Sequence, residues 1–214
     1  MKVSIITIGD ELLKGSTVNT NAAFLGEQLL ALGLMPELAL TVPDAPSAII
    51  DALDYLLPRS EVIITSGGLG PTGDDLTLDT VAAHFGLSLA VDPQLAEILQ
   101  QRWTQRHVCG GATPELLLRQ ARIPDGAAII ANPVGTAPGI WLRLPGDASK
   151  YLCMLPGPPI EQRPMITSGL LPHLAAVMDE RLHARLYRIA GAPESWVEEV
   201  TVKILADTPQ IAPA

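Results

Sequence analysis

Aromatic residues are scarce in this chain, at 4% of 214 residues, so its core must be built mostly from Ala, Leu, Ile and Val. Cysteine is rarer still. Cys109 and Cys153 alone make neither a disulfide framework nor a Cys-rich metal site, and they fit reduced thiols in a cytoplasmic protein. No apolar run reaches membrane-spanning length, and Met1 opens directly onto a strand pattern. Neither a transmembrane helix nor a signal peptide is expected, and no membrane partner. Positive charge is short: 14 Lys and Arg against 23 Asp and Glu, a formal net charge of -9. The basic residues are dispersed, which excludes extended binding along a nucleic-acid backbone. An anionic ligand must then be held by backbone amides, helix N-termini or a bridging metal. The four histidines (His84, His107, His173, His183) show no ligand spacing, and no serine or cysteine has a nucleophile context.

What is present is a hydrophobic content of 48%, ample for one α/β domain with a smaller appended unit. Lys2 to Gly9 reads as a strand apolar on both faces, suited to the centre of a parallel sheet. A polar turn follows, then a helix capped by Asn19, Thr20 or Asn21 and ended by Gly33. Leu38 to Val42 is a second strand, Asp44 a cap for the next helix, and Glu61 to Thr65 a third strand. Thr77 can cap the helix after it, Asp79 suits its positive end, and Gly86 stops it. Three strand-helix units in succession predict parallel strands with right-handed crossovers. Beyond them, helices are predicted over 93–106 and 114–121, and strands over 127–131, 139–144 and 151–155. A long helix over 159–179 is interrupted by Pro164 and Pro172. From Leu182 the pattern is strand, turn, then helix to about Ala206, the opening of a second unit.

The strongest chemical signal is Thr65 to Thr77, TSGGLGPTGDDLT, with four glycines in nine residues directly after an apolar strand. Glycine admits positive φ and close backbone approach, so the amides of Gly67, Gly68, Leu69 and Gly70 can converge on an anion, with Thr72 and Thr77 in the same stretch. Asp74 and Asp75 lie beside that anion, which makes sense if a divalent cation stands between. The alternative is a tight turn with solvated, helix-capping aspartates. The loop Gly9-Asp10-Glu11-Leu12-Leu13-Lys14 leaves another strand at its carboxyl end, the edge where open α/β sheets bind ligands. There Asp10 or Glu11 could meet a ribose hydroxyl or a metal, and Lys14 a phosphate; the alternative is a hydrated surface turn. Asn21 is either a cap or a ligand contact. Asp44, on the same edge, is a helix cap or a catalytic acid. Two rigid loops, Asn132 to Gly139 and Leu155 to Glu161, offer Thr136, Gly157 and Glu161, and read as turns or as parts of a site.

Taken together, GDELLKG, VNTNAAFL, GGLGPTGDDLT, NPVGTAPG and LPGPPIE resemble the competence/damage-inducible CinA family over about residues 1 to 180. The resemblance is to its N-terminal domain, shared with the molybdopterin-binding MoaB/MogA fold. It implies a three-layer α/β/α sandwich around a mostly parallel sheet, and a domain boundary near residue 180. Residues 181–214 resemble the start of a small KH-like α+β unit. The resemblance further implies an enzyme: a metal-dependent pyrophosphatase converting ADP-ribose to AMP and ribose 5-phosphate, with Mg²⁺, Mn²⁺ or Co²⁺ and K⁺ as cofactors. Asp75 matches a catalytic aspartate of the MoaB/MogA branch and Asp44 its second, with Asp74 beside them as a further metal ligand. That branch, which binds and adenylylates molybdopterin, gives one alternative function. A non-catalytic nucleotide-binding or dimerisation module gives another. The family implies homodimers or higher homo-oligomers. Its members usually continue into a deamidase domain not seen here, so no nicotinamide mononucleotide deamidase activity is expected. The stretch LPGPPIEQRPM departs from the family's LPGVPxEM at Pro159 and Gln162.

Overall fold

The computed structural model describes residues 1–105, 118–178 and 189–206. In chain order its strands are β1 (Val3–Ile8), β2 (Pro36–Val42), β3 (Val62–Ser66), β4 (Leu89–Val91), β5 (Arg122–Pro124), β6 (Ala128–Ile130), β7 (Gly139–Arg143) and β8 (Tyr151–Leu155). The main sheet has the order β2-β1-β3-β8-β7-β6. The first four of these are mutually parallel, and β7 alone is reversed, pairing antiparallel with β8 on one side and β6 on the other. β1 and β3 are buried along their whole length. That is the outcome expected of β-branched runs covered on both faces, and it fulfils the reading of a central parallel sheet.

Alternation along the strands divides the core in two. Ile6, Ile8, Ile63, Leu152 and Met154 face one side, where they meet Ile49, Leu53 and Leu56 of α3 (Pro46–Leu56) and Val81 of α4 (Thr77–Phe85). Val3, Ile5, Val62, Ile64, Cys153 and Leu155 face the other. There they meet Leu25 and Leu29 of α2 (Thr20–Ala31) and Met165 of the helical stretch over 159–177. Each fully buried leucine contributes about 1.5–3 kcal/mol. The result is the helix-sheet-helix sandwich that the motifs implied. Burial also pushes the Cys153 thiol well above its ordinary range, so it is a packing residue and not a nucleophile.

Several local expectations change. The polar turn after β1 contains a one-turn helix, α1 (Asp10–Leu13). β4 and β5 form a separate antiparallel pair that three-residue runs do not announce. α5 (Pro93–Gln105) lies where a helix was expected. The predicted helix over 114–121 is seen only in its last turn, since residues 106–117 lie outside the described residues. Cys109, His107, His183 and the strand expected from Leu182 also lie outside them. The helix over 159–177 is continuous but not uniform: α6 (Pro159–Met165), a π-helical turn (Ile166–Leu170) and α7 (Leu171–Val177). Pro164 cannot donate to the helix ladder, and a wider turn follows it.

The chain divides into two compact units, Met1–Ala184 and Arg185–Ala214. Within the second, α8 (Glu194–Leu205) is the helix predicted near the C-terminus. Among the described residues, no helix is long and apolar enough to cross a membrane.

Candidate functional site

In the strand order β2-β1-β3-β8, connections leave β1 to one side and return beyond it on the other. A crevice opens at such a switch point, outside the carboxyl ends of the strands. The loops after β1, β2, β3 and β8 all emerge there, and the antiparallel direction of β7 brings the loop before it to the same edge. They enclose a cleft of about 340 Å³.

One wall is the loop after β3. Gly67 has φ 117 and Gly68 φ 68, and a side chain on Gly67 would collide with the Ile8 carbonyl. These glycines are therefore required by backbone conformation and by the closeness of β1. The expectation that all four amides from Gly67 to Gly70 are available needs correction. The Gly67 N–H donates to the Leu155 carbonyl at 2.9 Å, tying the loop to β8. Among the described residues, the N–H groups of Gly68, Leu69 and Gly70 have no intramolecular acceptor.

This wall is fastened from behind. Thr77 is not the cap expected of it; Leu76 holds the N-cap position and makes no side-chain cap bond. Fully buried, Thr77 instead donates its hydroxyl to the Gly67 carbonyl at 2.9 Å, and its N–H to the Gly68 carbonyl. Asp75 accepts from both the N–H (2.9 Å) and the hydroxyl (2.5 Å) of Thr72 through Oδ2. Its carboxylate rests so closely on Gly70 that a methyl group there would displace it. Arg119, invisible as a site residue in the sequence, donates to the carbonyls of Thr72 (3.0 Å) and Asp75 (2.9 Å) and pairs with Asp79. Arg122 pairs with the same Asp79 at 2.8 Å.

The opposite wall is acidic. Asp44 does not cap α3, whose N-cap is Ala45 with no side-chain bond. It caps α1 instead: Asp44 Oδ2 accepts the Asp10 N–H at 2.9 Å, and the Asp44 N–H donates to Asp10 Oδ1 at 3.4 Å. The Lys14 ammonium, at 2.8 Å, holds the Asp10 carboxyl below the usual range. Asp44 behaves oppositely. Burial pushes its carboxyl up, and the charges of Glu11, Asp10 and Asp74 push the same way.

A third wall comes from the loops around Thr136 and Gly157. Asn132 accepts from the N–H groups of Val134 and Gly135, and donates to the Ala137 carbonyl and to Glu161 Oε2 at 2.7 Å. Arg102 adds donors to the Asn132 and Gly135 carbonyls. Glu161 is thereby held over Gly135. Gln162, at the departure from the family motif, is fully buried and donates to Ser66 Oγ and to the Pro156 carbonyl.

The cleft thus gathers Gly9, Glu11, Asp44, Gly67, Gly68, Gly70, Asp74, Asp75, Thr136, Gly157 and Glu161. Other residues singled out in the sequence stand back from its lining. Asp10 and Lys14 form an exposed ion pair on the rim. Thr72 serves Asp75, Thr77 lies behind the loop, and Leu69 turns its side chain into the core. Asn21 is not a cap, since Asn19 accepts from the Ala22 N–H and caps α2. The Asn21 amide instead bridges Ser66 Oγ (3.0 Å) and the Gly157 carbonyl (2.7 Å), joining two walls from behind.

Could such acids hold a metal ion? The donors are oxygens, as a hard cation requires, and the Asp44 carboxyl is raised by burial first and then by the charges of Glu11, Asp10 and Asp74. Among the described residues, no three His, Cys, Asp or Glu side chains converge on one point. An arrangement of one or two carboxylates facing an open cleft fits Mg²⁺, which keeps waters and shares ligand phosphates, better than a closed protein cage.

Comparison with known proteins completes the description. Residues 4–176 match the family described as "Probable molybdopterin binding domain". A "CinA-like protein" of Gemmatimonas aurantiaca is 42% identical over 91% of this chain and 45% of its own length. A "CinA-like protein" of Dictyoglomus thermophilum is 38% identical over 100% of this chain and 51% of its own. The chain spans about half the length of the curated relatives it matches. Among solved structures, a CinA protein of unknown function from Thermoplasma acidophilum superposes with a TM-score of 0.70. It is 35% identical, over 80% of this chain and 98% of that one. A molybdopterin biosynthesis enzyme MoaB from Thermus thermophilus, at 21% identity and TM-score 0.53 over 84% of this chain and 98% of that one, shares the fold.

Proposed function

Because the chain belongs to the molybdopterin-binding-domain family, in its CinA N-terminal, MoaB-like form, we propose that its cleft is the active site of a metal-dependent nucleotide pyrophosphatase acting on ADP-ribose. One observation carries this reading: Gly68 and Gly70, whose N–H groups have no acceptor among the described residues, line one cleft with Asp74 and Asp75 of their own loop and with Glu11 and Asp44 of the opposite wall. Donors on one side and repelling acids on the other fit a phosphate with a cation between them.

In this reading, Gly68, Leu69 and Gly70 hold one phosphoryl group by backbone N–H donors, which carry no charge to repel the cation. Asp75 through its second oxygen, with Asp74 or Asp44, would hold the divalent ion. When bound, it neutralises phosphoryl oxygens and lowers the pKa of a nearby water. Glu161, fixed by Asn132, faces the same space and orients a ribose hydroxyl or a water. Hydrolysis adds water across the phosphoanhydride: a new P–O bond forms, the bridging P–O bond breaks, and AMP and ribose 5-phosphate leave. Purified protein with ADP-ribose, with Mg²⁺, Mn²⁺ or Co²⁺ and with or without K⁺, should release both products. Absence of turnover under every combination overturns the proposal.

A second reading, binding of molybdopterin, is favoured by the family match over residues 4–176. Titration with a pterin, followed by fluorescence, separates the two. We also propose a cytoplasmic homodimer or higher homo-oligomer with a KH-like C-terminal unit, a view resting on the family resemblance. Light scattering showing a monomer at micromolar concentration contradicts that assembly.

A further inference from the structure

We propose that Gln120 is an oxyanion-binding residue of the cleft, its side-chain amide donating to a phosphoryl oxygen held at Gly68 to Gly70. The inference rests on the reading of the cleft as a phosphate site and names a residue for which no motif speaks. Gln120 ends the helical turn Leu118-Arg119-Gln120 just before β5. It is 6% exposed, and among the described residues its Nε2 has no hydrogen-bond partner. A buried N–H left unmatched destabilises a fold, so such a donor in a folded chain points to an acceptor supplied from outside.

Position identifies that acceptor. Gln120 lines the main cleft, and also a smaller pocket behind the glycine loop bounded by Gly68, Leu69, Gly70 and Asp75. The other two buried side-chain atoms without a partner among the described residues, Thr65 Oγ1 and Gln162 Oε1, belong to residues outside the cleft lining. The cations beside Gln120 are engaged elsewhere: Arg119 with Thr72, Asp75 and Asp79, and Arg122 with Asp79. The donors presented here are therefore neutral N–H groups, three from the backbone and one from Gln120. Such a set suits an oxygen that carries charge and also faces a cation.

The test uses inorganic pyrophosphate with Mg²⁺ as the probe, measured by calorimetry on the full chain, beside melting curves. Gln120→Met keeps length and removes the donor; Gln120→Glu keeps shape and places a carboxylate there. The expected result is pyrophosphate binding weakened about tenfold or more in Gln120→Met and further in Gln120→Glu. Gln120→Met should melt at or above wild type, because an unmatched donor has been removed. Wild type that binds while Gln120→Met binds within twofold overturns the role of Gln120 and leaves the phosphate reading standing. A Gln120→Met variant that melts lower and also binds more weakly returns the residue to packing, and overturns it too. Wild type that binds no pyrophosphate removes both ideas together.

Discussion

The two main walls of the cleft are built on opposite plans. The glycine loop after β3 is held from behind: Thr77 grips Gly67, Arg119 grips the carbonyls of Thr72 and Asp75, and Gly67 is bound to β8. Its cleft-facing amides are left over once these bonds are made. The acid wall after β1 and β2 has few such supports. Asp44 is partly buried, and that burial raises its carboxyl first; the Asp10 N–H works against the rise, and the charges of Glu11, Asp10 and Asp74 add to it. One wall is thus fixed in shape by its own bonds, and the other gathers carboxylates with few partners. In the proposed reading, the fixed donors of one wall and the acids of the other would together receive a metal-phosphate pair.

The contrast can be broken most severely at Asp75, which touches both plans. Asp75→Asn keeps the shape of the Thr72 turn and removes a charge. Turnover of ADP-ribose should fall about a hundredfold, near 3 kcal/mol of transition-state stabilisation, while the melting temperature changes little. Turnover within threefold of wild type would make Asp75 a turn residue only. Next in size is Gly70→Ala. Its methyl group collides with the Asp75 carboxylate, so turnover should drop roughly tenfold with the Asp75 charge still present, equivalent to about 1.4 kcal/mol. Unchanged kinetics would show that the carboxylate can move without consequence.

A smaller effect is expected at Arg119. Arg119→Met removes two donors to loop carbonyls, and should raise KM several-fold with less change in kcat, because the loop loses its fixed form rather than its chemistry. An equal fall in kcat would place Arg119 nearer the reacting atoms. The smallest test concerns the acid wall in the presence of chelator. The folded pKa of Asp44 is raised, so its protonated form favours the fold. That contribution is full below the ordinary carboxylate value near 4 and is lost as pH rises through the raised value. At neutral pH the ionised group is a cost. Asp44→Asn should therefore melt at or slightly above wild type at pH 7, with the gap closing on acidification. A clearly lower melting point would mean that its capping of α1 outweighs repulsion.

Strands and loop positions were legible because their signals are local. β-branched runs announced β1 and β3, a short apolar run announced β8, Gly86 stops α4 in a left-handed conformation, and the glycine loop declared itself by composition. Partners distant in sequence were not legible. Asn21 read as a cap because nothing nearby reveals Gly157, 136 residues away. Asp44 read as a cap for the helix that follows it, yet it caps one 34 residues earlier. Arg119 and Gln120 look like ordinary polar residues at a helix end. Only the fold brings them against a loop some 47 residues upstream. Capping and charge rules predict that a polar group will find a partner; they do not say which.

One feature of the core gives the molecule its own optical probe. Trp141 on β7 is 6% exposed and lies stacked between Tyr151, at 5.1 Å, and His173, at 5.3 Å. Burial holds the His173 imidazole below its ordinary pKa, so near neutrality the indole rests against an uncharged ring. Protonated imidazole quenches indole emission by accepting charge from its excited state, and here that channel opens only on acidification below the usual histidine range. β7 begins at Gly139, where the loop carrying Thr136 ends. With Trp103 and Trp196 replaced by phenylalanine, the wavelength and lifetime of this buried fluorophore would monitor the strand that anchors one wall of the cleft, without any added label.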